Sequence, residues 1–141
     1  MEKLTIKDIA KMAGVSHTED GYRTGLAYFT RCIKEKKSIA TGILCISDHF
    51  ALGVMQAAVE TGVDIPGQIS LIGFDDVSFA SLPKIQLTTI SQPKEEICDA
   101  AVRTLEELIH AAEPAPVSCK TIEPVLVRRD TCGPSGGRAL W

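Results

Sequence analysis

The chain has 141 residues, 45% apolar and 23% charged, with a net charge of −3; this fits one globular domain with a real core and argues against a disordered or membrane-spanning chain. The negative balance gives no general attraction to nucleic acid, so affinity for DNA requires a local cluster of Lys and Arg that displaces counterions from phosphate. The five cysteines, Cys32, Cys45, Cys98, Cys119 and Cys132, form no CxxC pair and no zinc-ligand spacing, so they read as reduced thiols of a cytoplasmic protein.

Thr5 and Asp8 make a capping-box-like helix start, and Ile6, Ile9, Ala10 and Ala13 recur at helical spacing. Gly14 then suits a helix C-terminus, Val15 plugs an angle between helices, and Ser16 caps the next helix, so the opening reads as helix, tight turn, helix. Two basic clusters accompany it: Lys3, Lys7 and Lys11, and further on Arg31, Lys34, Lys36 and Lys37, each also explained as a solvated helix face. From Ser16, with Glu19 completing a capping box, the stripe of Tyr22, Leu26, Phe29 and Ile33 predicts one helix to about Lys36.

"SIATGILCIS" predicts a strand covered on both faces. "DHFALGVMQAAVETG" predicts a helix whose stripe is Phe50, Ala51, Val54, Met55, Ala58 and Val59, stopped by Gly62. "ISLIGF" reads as a buried strand after the "DIPGQ" turn, "DDVSFASLP" as a short helix or loop, and "IQLTTIS" as a strand. "PKEEICDAAVRTLEELIHAAEP" is a helix with Pro93 near its start and Glu95 and Glu96 favourably placed in its first turn. In "TIEPVLVRRD" Pro124 demands an edge or a bulge, and the tail "TCGPSGGRALW" has a disordered composition. Strands alternating with helices give an α/β fold with a parallel sheet and right-handed crossovers.

"TIKDIAKMAGVSH" resembles the opening of the DNA-binding domain of LacI/GalR-type transcriptional repressors. "GYRTGLAYF", "SDHFALGVMQAAVETGVDIPGQISLIGFDD", "PKIQLTTISQPKEEICDAAVRTLEELI" and "PVLVRRDT" resemble the C-terminal subdomain of their periplasmic-binding-protein-like effector domain. The resemblance implies an internally deleted repressor: a truncated helix-turn-helix over residues 1–18, an effector-binding and dimerisation lobe over 19–131, and a disordered tail over 132–141. Most of the recognition helix, the third helix, the hinge and the N-terminal subdomain are missing between the two blocks, and the joint falls near His17 to Asp20. Thr5 and Ser16 would touch DNA phosphates, with His17 and Thr18 at the base-reading start of the recognition helix. Glu19 and Asp20 stand where the family continues with a Thr-Val-Ser-Arg-like run, and two carboxylates facing phosphate weaken operator binding.

In open parallel sheets, ligands bind beyond the carboxyl ends of the strands, where this chain sets Ser47-Asp48 and Asp75-Asp76. An ionised Asp accepts two hydroxyl hydrogen bonds, which suits a sugar- or nucleoside-like effector. Asp75 is the main effector-binding candidate, with Ser47 and Asp48 nearby; the plainer role for Asp48 and Asp76 is to cap the helices that follow. One lobe of the family's clamp is missing, and Thr18 stands where the family carries an Arg, so weak or lost effector binding is expected.

No G-x-S-x-G elbow, Walker loop or H-E-x-x-H occurs, and His17, His49 and His110 have no metal or triad spacing, so neither catalysis nor a cofactor is expected. Three readings remain open: a regulator binding operator DNA, an interaction module that self-associates as a homodimer through the Ala51–Val59 helix and the region after Asp76, and a non-functional deletion remnant. Their shared premise is that the two blocks join within one continuous helix.

Overall fold

The computed structural model describes residues 18–111 and 119–134. Three helices, α1 (Thr18–Lys34), α2 (Asp48–Thr61) and α3 (Lys94–His110), accompany strands β1 (Gly42–Leu44), β2 (Ser70–Phe74), β3 (Thr88–Ser91) and β4 (Val125–Val127), with a 3-10 turn at Ser78–Ser81. The strands form one sheet in the order β1-β2-β3-β4. Among the described residues no helix is long and apolar enough to cross a membrane.

Of the joint expected near His17 to Asp20, residues 18–20 form the first turn of α1, and His17 lies outside the described residues. Glu19 and Asp20 occupy the first turn and Arg31 and Lys34 the last, a distribution that the helix dipole favours at both ends. Thr18, assigned to base reading, is the first residue of this helix, and its carbonyl oxygen lies against α2. Thr5, Ser16 and His17, and with them the opening helix and the Ser16 cap, lie outside the described residues.

Of the expected α1 stripe, Phe29 is fully buried, Tyr22 and Leu26 are partly buried against the core, and Ile33 remains 38% exposed. What brings α1 onto α2 is glycine. A Cβ on Gly53 would stand 2.0 Å from the Thr18 carbonyl oxygen and 2.5 Å from the Tyr22 nitrogen, and one on Gly21 would stand 2.2 Å from the Phe50 carbonyl oxygen. The two backbones therefore touch, and only hydrogen fits between them. Beneath the pair, Phe29, Val54, Ala57, Ala58, Cys45, Leu71 and Leu87 form the core.

α2 begins and ends where its sequence says. Ser47 Oγ accepts the Phe50 amide at 3.2 Å, and Gly62, at φ 73, closes the helix while Val63 donates to the Ala58 carbonyl at 2.9 Å. One stripe residue departs from expectation: Val59 is 83% exposed, because the surface covered by α1 follows Gly53 and Ala57 around the helix.

The sheet departs from a wholly parallel one. β1, β2 and β3 are parallel, but β4 pairs antiparallel with β3, matching Thr89 to Val127 and Ser91 to Val125. Pro124 directly precedes this edge strand, where its missing amide costs no ladder bond. The expected strand across "SIATGILCIS" shortens to Gly42–Leu44, and it is not covered on both faces. Cys45 and Leu71 face the helices, whereas Leu44 is 67% and Leu126 53% exposed on the opposite face. α3 is exposed along its length, with no fully buried residue.

The expected tail boundary at residue 132 cuts through packed chain. Thr131, 3% exposed, wedges between the starts of β2 and β3, donating to the Leu71 carbonyl at 2.7 Å and accepting the Thr88 amide at 2.9 Å. Cys132 and Gly133 continue this contact, the Cys132 thiol donating to Leu71 and the Gly133 amide to Ser70 Oγ. Residues 135–141 lie outside the described residues.

Candidate ligand site at the carboxyl edge of the sheet

β2 ends at Phe74, and the chain turns at once through two non-glycine residues with positive φ, Asp75 at 107° and Asp76 at 49°. Such backbone costs on the order of 1–3 kcal/mol per residue and persists only where the surroundings enforce it. They do so here from three sides. The Asp75 amide donates to the Ile90 carbonyl at 2.9 Å, Lys94 Nζ donates to the Asp75 carbonyl at 2.8 Å, and Gln92 Nε2 donates to Asp75 Oδ1 at 2.7 Å. The second Asp75 carboxylate oxygen has no partner among the described residues. The result is a carboxylate held half-exposed at the strand end, with one oxygen fixed and one available.

Asp76 points elsewhere. Its Oδ1 accepts Arg129 Nη2 at 2.7 Å, and the same guanidinium donates to the Leu87 carbonyl at 2.8 Å. With side-chain exposures of 14% and 25%, the pair is shielded from solvent and fixes the turn to the segment after β4. Asp76 is thus a tether and caps no helix, since the 3-10 turn starts after Val77 and lacks a side-chain cap.

Asp48 is fully buried. Its Oδ1 accepts the Thr89 hydroxyl at 2.5 Å and its Oδ2 accepts the Val77 amide at 2.8 Å. It does not cap α2 either; Ser47 does that. Both oxygens serve to bind the start of α2 to β3 and to the turn after Asp76, satisfying a carboxylate that could not otherwise lie inside the protein. Gly73 leaves room for it, because a Cβ there would stand 2.2 Å from Asp48 Oδ1. Burial, with a smaller contribution from the charge of Asp48, pushes the neighbouring Cys45 thiol up to about 12.

The three effector candidates therefore share a neighbourhood but not a role. Asp75 reaches the surface, Ser47 is half-buried and occupied as a cap, and Asp48 is the internal brace. Sequence reasoning missed Gln92, Lys94, Arg129 and Thr89. The strand-end rule that selected Asp75 applies equally to Gln92, the residue after β3, and would have found it. His49 is exposed, its ring edge-on to Phe79 with centroids 5.0 Å apart, and His110 Nδ1 lies 2.8 Å from the Glu106 carbonyl of its own helix.

The sequence matches the periplasmic binding protein-like domain family over residues 2–132. It is 35% identical over 114 residues to the HTH-type transcriptional regulator MalR of Clostridium butyricum, covering 79% of this chain and 33% of that protein. A crystal structure of a LacI-family transcriptional regulatory protein from Corynebacterium glutamicum superposes with a TM-score of 0.69 at 30% identity, over 84% of this chain and 43% of the other. The dimeric Lac repressor with an 11-residue C-terminal deletion superposes at 0.65 with 26% identity, over 82% and 40%. The chain thus spans a third of the length of that curated relative and less than half of either solved chain. With a mostly parallel α/β sheet and these matches, the chain belongs to the periplasmic-binding-protein-like family and corresponds to part of a LacI/GalR-type transcriptional regulator.

Proposed function

We propose that the chain is a cytoplasmic, non-catalytic LacI/GalR-type regulator, shortened internally, whose lobe keeps half of a site for a sugar- or nucleoside-like effector. The observation that supports this most directly is Asp75: a carboxylate held at a strand end by strained backbone and by Gln92, with one oxygen open to a hydroxyl pair. Asp48 and Ser47 act beneath it, Asp48 by bracing the turn and Ser47 by starting α2 at the strand end. A single lobe buries only part of a ligand that two lobes would enclose, so affinity falls. Isothermal calorimetry with common sugars and purines is expected to show no binding tighter than millimolar, and Asp75→Asn to remove any residual heat. Micromolar affinity for the unmodified chain would overturn this reading of a half-site.

Operator DNA is the other partner of this reading, contacted by Thr5, Ser16, His17 and Thr18. Glu19 and Asp20, in the first turn of α1 directly after Thr18, bring like charge to the phosphates, so binding is weak or lost. A second reading, an interaction module, is favoured by the apolar surface of Val59, 83% exposed on α2, and Leu82, 50% exposed after the 3-10 turn. It makes this face a homodimer contact independent of DNA.

A further inference from the structure

α1 buries one side against α2 and leaves the other in water. On the open side run two adjacent rows of side chains at four-residue spacing, one through Arg23, Ala27 and Arg31, the other through Leu26, Thr30 and Lys34. Together they line a furrow of about 440 Å³. A furrow between two such rows is the seat into which a second helix lays a row of its own, crossing at roughly −50°. Its middle is low, because Ala27 and Thr30 are small, and Leu26, partly buried against the core, gives it an apolar floor. Every lining residue belongs to α1 or, in Glu35, follows it directly, so no other described element fills the furrow.

The rim is cationic. Arg31 and Lys34 are exposed, and neither makes an ion pair among the described residues. Arg23 is held by Glu19 at 3.0 Å, but both side chains stand largely in water, and such a pair exchanges readily for another. Glu35, the one acid lining the furrow among the described residues, is paired with Lys37 at 2.6 Å, which leaves Arg31 and Lys34 uncompensated. This local excess of positive charge stands in a chain whose net charge is −3.

We propose that this furrow docks an acidic amphipathic helix of another protein, with an aliphatic side chain over Ala27 and Thr30 and carboxylates over Arg31 and Lys34. The contact is independent of the effector site and of operator DNA. Arg23 and Lys34 stand about 16 Å apart along the axis, so a partner helix of about two to three turns covers the furrow. Phosphate is the poorer match: two free cations neutralise only about two phosphates of a duplex, and an aliphatic floor offers a phosphate chain nothing. The chain's own residues 1–17 are also a poor occupant, since they set Lys3, Lys7 and Lys11 against Glu2 and Asp8 and bring like charge to the rim.

Fluorescence anisotropy tests the docking, with the full chain and a labelled helical peptide of about 15 residues carrying Leu and Ala on one face and Glu on both flanks. The expected dissociation constant is about 10–100 μM at low salt. It rises at least about tenfold when Arg31→Glu and Lys34→Glu are combined, and equally in Ala27→Trp, which fills the furrow and leaves its charge unchanged. Lys84→Glu, an exposed charge before β3 that lines no part of the furrow, has no effect. Arg31, Lys34 and Ala27 are all exposed, so these variants keep the parent circular dichroism, and lost binding is not unfolding. Binding no tighter than about 1 mM overturns the proposal. So does binding that ignores Ala27→Trp, which is diffuse charge attraction. A short DNA duplex that displaces the peptide at equal concentration makes the furrow a phosphate site, and sedimentation in which these variants abolish self-association makes a second copy its occupant; either result overturns it as well.

Discussion

α1 and α3 are helices of equal length, 17 residues each, and both carry acids in the first turn and an apolar stripe. One is locked against the core with Gly21, Gly25, Phe29 and Cys32 buried; the other has no buried residue. Their sequences differ less than their fates. A stripe records that a helix is built to be covered, while the cover itself is a property of whatever chain lies opposite. α1 has α2 and its glycines; α3, among the described residues, has only the return segment at Lys120 and Ile122.

The sharpest way to break that contrast is to push α1 off α2. Gly53→Ala places a methyl group 2.0 Å from a carbonyl oxygen and 2.5 Å from an amide nitrogen, both backbone atoms that cannot rotate aside. We expect a loss of about 3 kcal/mol or more in urea denaturation, at the upper end of overpacking costs. Leu105→Ala on α3 should change stability by less than about 0.5 kcal/mol under conditions where the chain is monomeric. A Gly53→Ala variant as stable as the parent would mean that α1 and α2 do not touch as described.

pH sharpens the same contrast. Buried Cys45 lies under the helices, and its thiol is raised from the ordinary 9.0 to about 12. Below pH 9 the thiol is protonated in both folded and unfolded chains, and its contribution is fully present. As pH rises further the unfolded chain releases the proton while the folded chain keeps it, so stability falls toward pH 12. The expected loss between about pH 8 and 10 is about 1.4 kcal/mol, read as the difference in denaturation between the parent and Cys45→Ala under reducing conditions. The subtraction matters because Tyr22, raised by its hydrogen bond to Glu60, titrates in the same direction.

Periodicity and caps made much of this fold legible: α2 from Ser47 to Gly62, β2 in "ISLIGF", and α3 after Pro93 all stand where their patterns put them. What escaped depends on contacts between segments far apart in the chain. Nothing in "GYRTG" or "ALGVM" announces that Gly21 and Gly53 face another backbone, and a glycine within a helix otherwise reads only as a cost. Val59 follows α2's apolar stripe yet faces water, because α1 crosses on the side of Gly53 and Ala57. At the site, the strand-end rule reached Asp75 and Ser47 from sequence. It placed Asp48 beside them without revealing that Thr89 and Val77 would draw that carboxylate inward. Arg129 lies 53 residues from Asp76, and no local pattern connects them.

The smallest effect separates stability from function at Asp75 itself. Its φ of 107° lies where a Cβ is disfavoured and glycine is not. Asp75→Gly removes that strain and with it the carboxylate that Gln92 holds. The strain relief is of order 1 kcal/mol, set against loss of the charge-assisted hydrogen bond from Gln92 to the carboxylate, a class worth about 1.5–3 kcal/mol net. Because that bond is half-exposed and water partly replaces it, the two contributions nearly cancel, and Asp75→Gly is expected within about 0.5 kcal/mol of the parent in denaturation. An Asp75→Asn variant keeps both the Cβ and an acceptor for Gln92, so it should show no gain. If Asp75→Gly were clearly less stable than Asp75→Asn, the carboxylate would be holding the turn together, and the strained backbone would be no sign of a ligand site.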